Sequence, residues 1–502
     1  MPEEAKTSSH AEALKSTSIV GGATVLVMVV RMVRTKILAI LLGPGGIGLE
    51  GIYDSALSVA KTLVDLGISS SGVRQIAAAV GSGDQRLIAT TIVALRRSCL
   101  ILGILGAGLF FLARSEISRL AFGDTSHASD LGWLSIVLLW GALAGGQGAL
   151  LQGMRRIGDL ARMNVLGAIT GAGLSIPLVY FFGTRGIAPY MIGAAGAAVL
   201  FSWLYSRRIS VAPTNLSSGE ISDEIGRLLK LGLVFVATGL MATGALFLIR
   251  TLITRSMGLV ETGQFQAASA LSTVYVGFVL QAMGTDFYPR LTAVANDNRR
   301  CNQLVNEQAE ISILLALPGV LATLAFAPWI IRVFYSGKFD QAAEILSWQV
   351  LGTFLQVNSW PMGFIIVAKG RAAAMFWTDL VSYSLYVGLA WLGLKWFGLP
   401  GAGMAFLGLY VFHWAVMYVI VRRVSGFTWT PANNRLSAMG LIAAVTTLWA
   451  RFELAEPWAT LLGGALAVIA GVYCLRALVR HAGADRIKRF LSKIASRFRT
   501  RS

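Results

Sequence analysis

The sequence predicts an all-α, polytopic integral membrane protein: two pseudo-symmetric lobes of six helices each, followed by two further crossings. Three observations predict it. The 502 residues are 55% hydrophobic and only 14% charged, with a mean hydropathy of +0.66. Apolar runs of about 20 residues or more, the length a helix needs to cross a bilayer, recur from end to end. The chain also repeats itself at a spacing of 215 positions. Gly43 and Gly48 recur as Gly258 and Gly263, the triplet Gly183, Gly186 and Ile187 stands opposite Gly398, Gly401 and Ala402, and Arg207 and Arg208 recur as Arg422 and Arg423.

The apolar runs place helices of the first copy at 17–42, 47–80, 87–113, 129–152, 157–183 and 186–207. Those of the second copy fall at 225–255, 259–293, 303–332, 341–368, 372–397 and 401–422, and two unpartnered runs follow at 435–451 and 457–479. Fourteen crossings are therefore expected. The expected organisation is an N-terminal tail (1–16), a first lobe (17–208), a polar linker (209–224), a second lobe (225–423), two additional helices (424–479) and a basic tail (480–502). Six crossings per copy insert both copies the same way up, and parallel repeats of this kind occur in secondary transporters with the substrate site between the halves.

A net charge of +18 would suggest nucleic acid as the partner of a soluble protein. Here the basic residues sit in alternate connections: Arg86, then Arg155, Arg156 and Arg162, then Arg207 and Arg208, then Arg299 and Arg300, then Lys369 and Arg371, then Arg422 and Arg423. The positive-inside rule explains that pattern, so no nucleic acid is expected and both termini are cytoplasmic. In the tail, Ile487, Phe490, Leu491, Ile494 and Phe498 share one helical face among Arg486, Lys488, Arg489, Lys493 and Arg497, the pattern of a helix lying on anionic lipid. Residues 1–16 are polar and lack a signal-peptide core. Cys99, Cys301 and Cys474 follow no metal spacing, and His10, His127, His413 and His481 are scattered, so neither metal, disulfide nor cofactor is expected.

Ionisable residues inside a membrane segment cost about 2.5–3.5 kcal/mol each and normally face water or a partner. The second predicted helix carries Glu50, Asp54, Lys61 and Asp65 within about 60° of one another, with Gly72 continuing the stripe. The stripe either lines a water-filled cavity or closes on itself as ion pairs of Lys61 with Asp54 or Asp65. In the first helix Arg31 and Arg34 share a face, and Arg250 enters at nearly the depth of Arg34 from the second copy. Guanidinium groups at matched depth suit a diphosphate held between lobes, with Arg31, Arg34, Lys61 and Arg250 as its cations and Glu50, Asp54 and Asp65 as cavity acids. Pairing of the arginines with Glu50 and Asp54 before substrate arrives is compatible with that role. Gly43, Gly45 and Gly48 fit GxGxxG, but they join two membrane helices with no preceding strand, and no Walker A sequence is present.

The stretches LLGPGGIGLEGIYDS (41–55), DLGISSSGVRQIA (65–77), FYPRLTAVANDN (287–298), GKFDQAAEILSWQVLG (337–352) and VAKGR (367–371) resemble a polysaccharide-type member of the multidrug/oligosaccharidyl-lipid/polysaccharide exporter superfamily, a Wzx-type O-antigen or enterobacterial-common-antigen flippase. The resemblance covers residues 17–423. It implies two lobes forming a V around a cationic central cavity, with no enzymatic step. The implied task is to flip an undecaprenyl-diphosphate-linked oligosaccharide across the bacterial inner membrane by alternating access. It further implies membrane lipids and the pathway's polymerase and chain-length proteins as partners. An ion-coupled drug antiporter of the same superfamily would instead use Asp54 or Asp65 as its coupling site. A lipid II flippase is the alternative within the same function. Sugar contacts would be diffuse polar groups such as Gln264, Gln266, Gln281 and Asn358.

Overall fold

The computed structural model describes residues 2–209, 217–282 and 287–482, and every regular element among them is helical. Packing divides the chain into two compact units, residues 1–263 with 333–338, and residues 264–332 with 339–502. The first holds α1 (Pro2–Asp65), α2 (Ile68–Ser82), α3 (Gln85–Phe122), α4 (Ala128–Gly153), α5 (Ile157–Phe182), α6 (Ile187–Ser206) and α7 (Ser218–Ser256). α8 (Leu259–Ala282) leads into the second, which continues with α9 (Tyr288–Ala293), α10 (Asn298–Phe334), α11 (Ala342–Ala368), α12 (Ala372–Phe397), α13 (Pro400–Ser425), α14 (Pro431–Glu453) and α15 (Glu456–Ala482). Eight stretches are long and apolar enough to cross a membrane, one of them the 50-residue run Ile157–Ser206 that contains both α5 and α6. The protein is a multi-pass membrane protein.

α1 is a single helix in name only. Gly43 adopts φ 63°, ψ −173°, a conformation that favours glycine, and Pro44 follows it. Arg34 and Glu50 are 16 residues apart, about 24 Å along a straight helix, yet their charged groups meet at 2.7 Å. The chain therefore reverses at Gly43 into two antiparallel arms, 2–42 and 44–65. The first arm is helical from Pro2, so the segment expected as a polar tail continues the helix.

The repeat is written into the backbone. Left-handed φ values occur at Gly43 and Gly258, at Arg155 and Gly370, and at Gly183 and Gly398, each pair 215 apart. The tight turns repeat with them: a Cβ on Gly186 would lie 2.3 Å from the Leu178 carbonyl oxygen, and one on Gly401 would lie 2.1 Å from that of Gly393. Between these anchors the spacing slips by two residues, since α3 begins at Gln85 and α10 at Asn298.

Three expectations need correction. The second predicted helix, 47–80, is interrupted: Leu66 and Gly67 turn left-handed, α2 starts afresh at Ile68, and Gly72 does not continue the charged stripe but packs against Leu95 and Ala149. The linker expected at 209–224 ends earlier, because Ser217 and Glu220 form a capping box that starts α7 at Ser218. Packing does not follow the repeat here: α7, the opening helix of the second copy, lies on α1, α2 and α3 within the first unit. The basic tail's amphipathic stretch, 487–498, falls outside the described residues.

Within the second unit, the first of the two unpartnered helices, α14, is bolted on by polar contacts. Buried Asn433 of α14 donates to the Asn306 carbonyl of α10 at 2.8 Å, Ser437 donates to the Asn358 side chain at 2.8 Å, and Arg451 donates to Ser347 at 2.7 Å. Gly440 gives room to the Phe354 ring, and Gly463 lets α15 approach Ala325 and Thr447.

The second α1 arm and α8 cross at a reciprocal glycine contact. A Cβ on Gly48 would sit 2.0 Å from the Leu259 carbonyl oxygen, and one on Gly263 would sit 1.8 Å from that of Pro44. Residues 44 and 48 correspond to 259 and 263, so one contact is made twice about a local pseudo-two-fold axis. Because the obstructing atoms are backbone, Gly48→Ala or Gly263→Ala should destabilise the protein by about 1–3 kcal/mol. A fall in the thermal midpoint of detergent-purified protein measures this, and an unchanged midpoint would refute the contact.

Candidate functional site

Within the first unit, the first arm of α1, α4, α5 and α6 enclose a cavity of about 630 Å³. Its wall is mostly small: Ala144, Ala161, Gly167, Ala168, Gly171 and Ala172 leave room that larger side chains would fill. Arg31, Arg34 and Lys61 all line it. Three of the four expected cations thus reach one space, two from the first arm of α1 and one from the second.

Their surroundings differ. Arg31 and Lys61 are exposed to the cavity, and among the described residues neither forms an ion pair. The closed set of pairs between Lys61 and Asp54 or Asp65 is therefore not formed. Arg34 is half-buried, donates from Nη2 to Glu50 Oε1 at 2.7 Å, and lies 4.9 Å from the centre of the Tyr190 ring on α6. Its Nε is buried without a hydrogen-bond partner, while the Tyr190 hydroxyl is buried against Glu50 and Arg34, so donor capacity remains on the guanidinium beside the cavity. The arrangement can hold a multiply charged oxyanion: one paired guanidinium, one unpaired guanidinium and one ammonium converge on a space walled by small residues.

The acids separate. Glu50 is the Arg34 partner. Asp54 is exposed and makes no ion pair among the described residues. Asp65 accepts the Ser69 hydroxyl across the break at Gly67 and lies near Cys99. Arg250 does not join the cavity. It is 5% exposed and its Nη1 donates to the Gly51 carbonyl at 3.0 Å, bracing α7 against the second arm of α1. Depth along a helix was legible in the sequence; the direction of the side chain was not. Of the polar groups expected near sugars, Gln264 accepts the Ala342 amide and Asn358 bonds within α11 and to α14, both as internal ties; the Gln281 side chain lies outside the described residues.

Two clusters escaped the reading of the charges. Tyr53, between Glu50 and Asp54 in sequence, donates to Asp130 Oδ2 at 2.8 Å and lies 2.9 Å from His127 Nδ1, pinning the second arm of α1 to the start of α4. Burial holds the His127 imidazole below its ordinary pKa, against the opposing pull of Asp130 and Asp124. In the second unit, Asp379 of α12 is buried with no ion-pair partner among the described residues, near Tyr383 and Tyr410. A lone carboxylate in a chain with stronger charge stripes elsewhere gave no signal.

The helical architecture with repeated halves has counterparts among solved structures. Solved structures of the same fold include the lipid II flippase MurJ in its inward closed conformation (TM-score 0.68, 14% identity, 92% of this chain and 99% of that one). Another is an inward-facing multidrug resistance MATE family transporter of the MOP superfamily (TM-score 0.65, 18% identity, 80% and 94%). The class is thus a multi-pass membrane protein with the fold of these transporters. Within that class the chain belongs to the family described as polysaccharide biosynthesis protein, whose profile matches residues 37–344. Curated relatives are the Lipid III flippases of Escherichia coli (strain K12) and Shigella flexneri, each 23% identical over 399 residues covering 76% of this chain and 91% of theirs.

In a background lacking Cys99, Cys301 and Cys474, which are all buried, Arg31→Cys and Lys61→Cys should react with a membrane-impermeant thiol reagent. Ala39→Cys, fully buried on the same arm as Arg31, should not. Equal labelling at all three positions would contradict the cavity.

Proposed function

We propose that the protein flips an undecaprenyl-diphosphate-linked oligosaccharide from the cytoplasmic to the periplasmic leaflet of the bacterial inner membrane by alternating access, with both termini cytoplasmic. The observation that carries this reading is the convergence of Arg31, Arg34 and Lys61 on one cavity. Membership of the polysaccharide biosynthesis family and the names of the curated relatives support it. A lipid-linked glycan needs cations for its diphosphate and polar space for its sugars, while its polyprenyl tail stays in lipid. No step requires a nucleophile, a general base or a cofactor.

In this reading Arg31 takes phosphate oxygens with its planar fork, Lys61 adds a point charge, and Arg34 is released to the ligand as phosphate replaces Glu50. Glu50 is the resident counter-ion that limits the cost of holding Arg34 half-buried. Asp54 and Asp65 act as cavity acids only if other conformations turn them inward. Arg250 is assigned a bracing role in place of ligand contact. An excess of cations over acids on the cavity wall disfavours a cationic drug as cargo. Polymerase and chain-length proteins of the pathway are the proposed partners.

Arg31→Ala and Lys61→Ala should each lower glycan export on the order of tenfold while protein level in the membrane stays unchanged, the loss of one charge-assisted contact of about 1.5–3 kcal/mol. Arg34→Lys should recover only part of the export lost in Arg34→Ala, because the fork is gone. Export is read as surface glycan in cells whose own flippase is deleted. Wild-type export by the Arg31→Ala, Arg34→Ala double variant would overturn the assignment.

A further inference from the structure

A second cavity of the first unit, about 450 Å³, is lined by Arg96 and Leu100 of α3, Gln147 of α4, and Trp203 and Arg207 at the end of α6. It lies on other walls than the cavity of Arg31, Arg34 and Lys61, with which it shares no residue. Arg96 and Arg97 are the last charges before the apolar run of α3, and Arg207 is the first charge after that of α6. Both guanidinium groups are thus held where the bilayer's hydrocarbon meets water. The Arg207 guanidinium stands 4.8 Å from the centre of the Trp203 ring. Among the described residues neither Arg96 nor Arg207 has an acidic partner. Leu100, Ile104 and Leu200, about half exposed, present apolar surface next to the pocket.

Topology alone would place basic residues at this boundary in both copies of the repeat, so the second copy is an internal control. It keeps Arg422 opposite Arg207 and Tyr418 opposite Trp203. The stretch Ala309–Ile311 opposite Arg96 holds no basic residue, Pro361 replaces Gly146, and buried Met362 replaces Gln147. The second cation and the polar floor belong to the first copy alone, which the positive-inside rule does not explain.

We propose that this pocket binds the phosphate headgroup of an anionic phospholipid of the surrounding bilayer. Arg96 and Arg207 hold the phosphate from two helices, Trp203 sits at headgroup level, and the acyl chains run over Leu100, Ile104 and Leu200. A bound lipid would fasten α3 to α6. Two cations near the membrane surface are worth enough to favour an anionic over a zwitterionic lipid by on the order of tenfold.

The test is native mass spectrometry of the full-length protein titrated with phosphatidylglycerol or with phosphatidylcholine of the same acyl chains. The wild type should hold its tightest phosphatidylglycerol about tenfold better than phosphatidylcholine. Arg96→Gln, Arg207→Gln should remove that preference, and Arg422→Gln should leave it intact. Inorganic phosphate at millimolar concentration should not displace the lipid. An unchanged preference in the double variant would overturn the proposal, and displacement by inorganic phosphate would reassign the pocket to a soluble anion. Should the double variant fail to fold, brominated phosphatidylglycerol should quench a portion of wild-type tryptophan fluorescence that is absent in Trp203→Phe. Equal quenching of the two proteins would also reject the site.

Discussion

The first unit depends on one contact, the crossing of two helices at Gly48 and Gly263 with no side chain between them. Glycine at both positions lets each backbone rest on the other's carbonyl. Pro44 and Leu259 supply those carbonyls from the turns just after Gly43 and Gly258, so the reversal of α1 and the crossing are one construction. From it follow the antiparallel arms of α1, the meeting of Arg34 with Glu50, and the approach of Arg250 to Gly51. The cationic cavity stands on the arms so placed.

The cavity also illustrates how a membrane protein keeps charge where it is costly. Arg34 is shielded by a carboxylate and an aromatic face, whereas Arg31 and Lys61 are left to a space of about 630 Å³. A pair that is broken leaves an uncompensated charge, and in the proposed function a multiply charged ligand supplies the replacement. The small residues of α5 serve the same end, since every alanine or glycine there is volume left to the cavity.

Much of this was legible in the sequence for a physical reason. Glycines at turns that require left-handed backbone cannot drift, so the 215-residue spacing survived at Gly43, Gly183 and their partners where apolar residues exchanged freely. The charged stripe was legible too, and Glu50, Asp54, Lys61 and Asp65 all lie on the second arm of α1 as periodicity placed them. What failed was continuation and direction. Gly67 looks like one more small residue in an apolar run until its φ turns positive, and that residue ended the stripe and carried Asp65 toward Ser69. Arg250 matched Arg34 in depth, but helical depth does not say whether a long side chain reaches for a cavity or for a neighbouring carbonyl. Tyr190 gave no periodic signal because its partners, Arg34 and Glu50, are distant in sequence, and Asp379 gave none because it is the only acid on a largely apolar helix.

The reversal at Gly43 also bears on how the chain is made. Arg34 and Glu50 are close enough in sequence to meet as soon as the first hairpin emerges from the ribosome, before any other helix exists to cover them. They can enter the bilayer as a neutral couple, so that Arg34 is not inserted as an isolated charge. The hydrogen bond of Arg250 to the Gly51 carbonyl, 199 residues upstream, forms only once the earlier helices are in place. The order of synthesis is thus matched to the order in which the charges find cover.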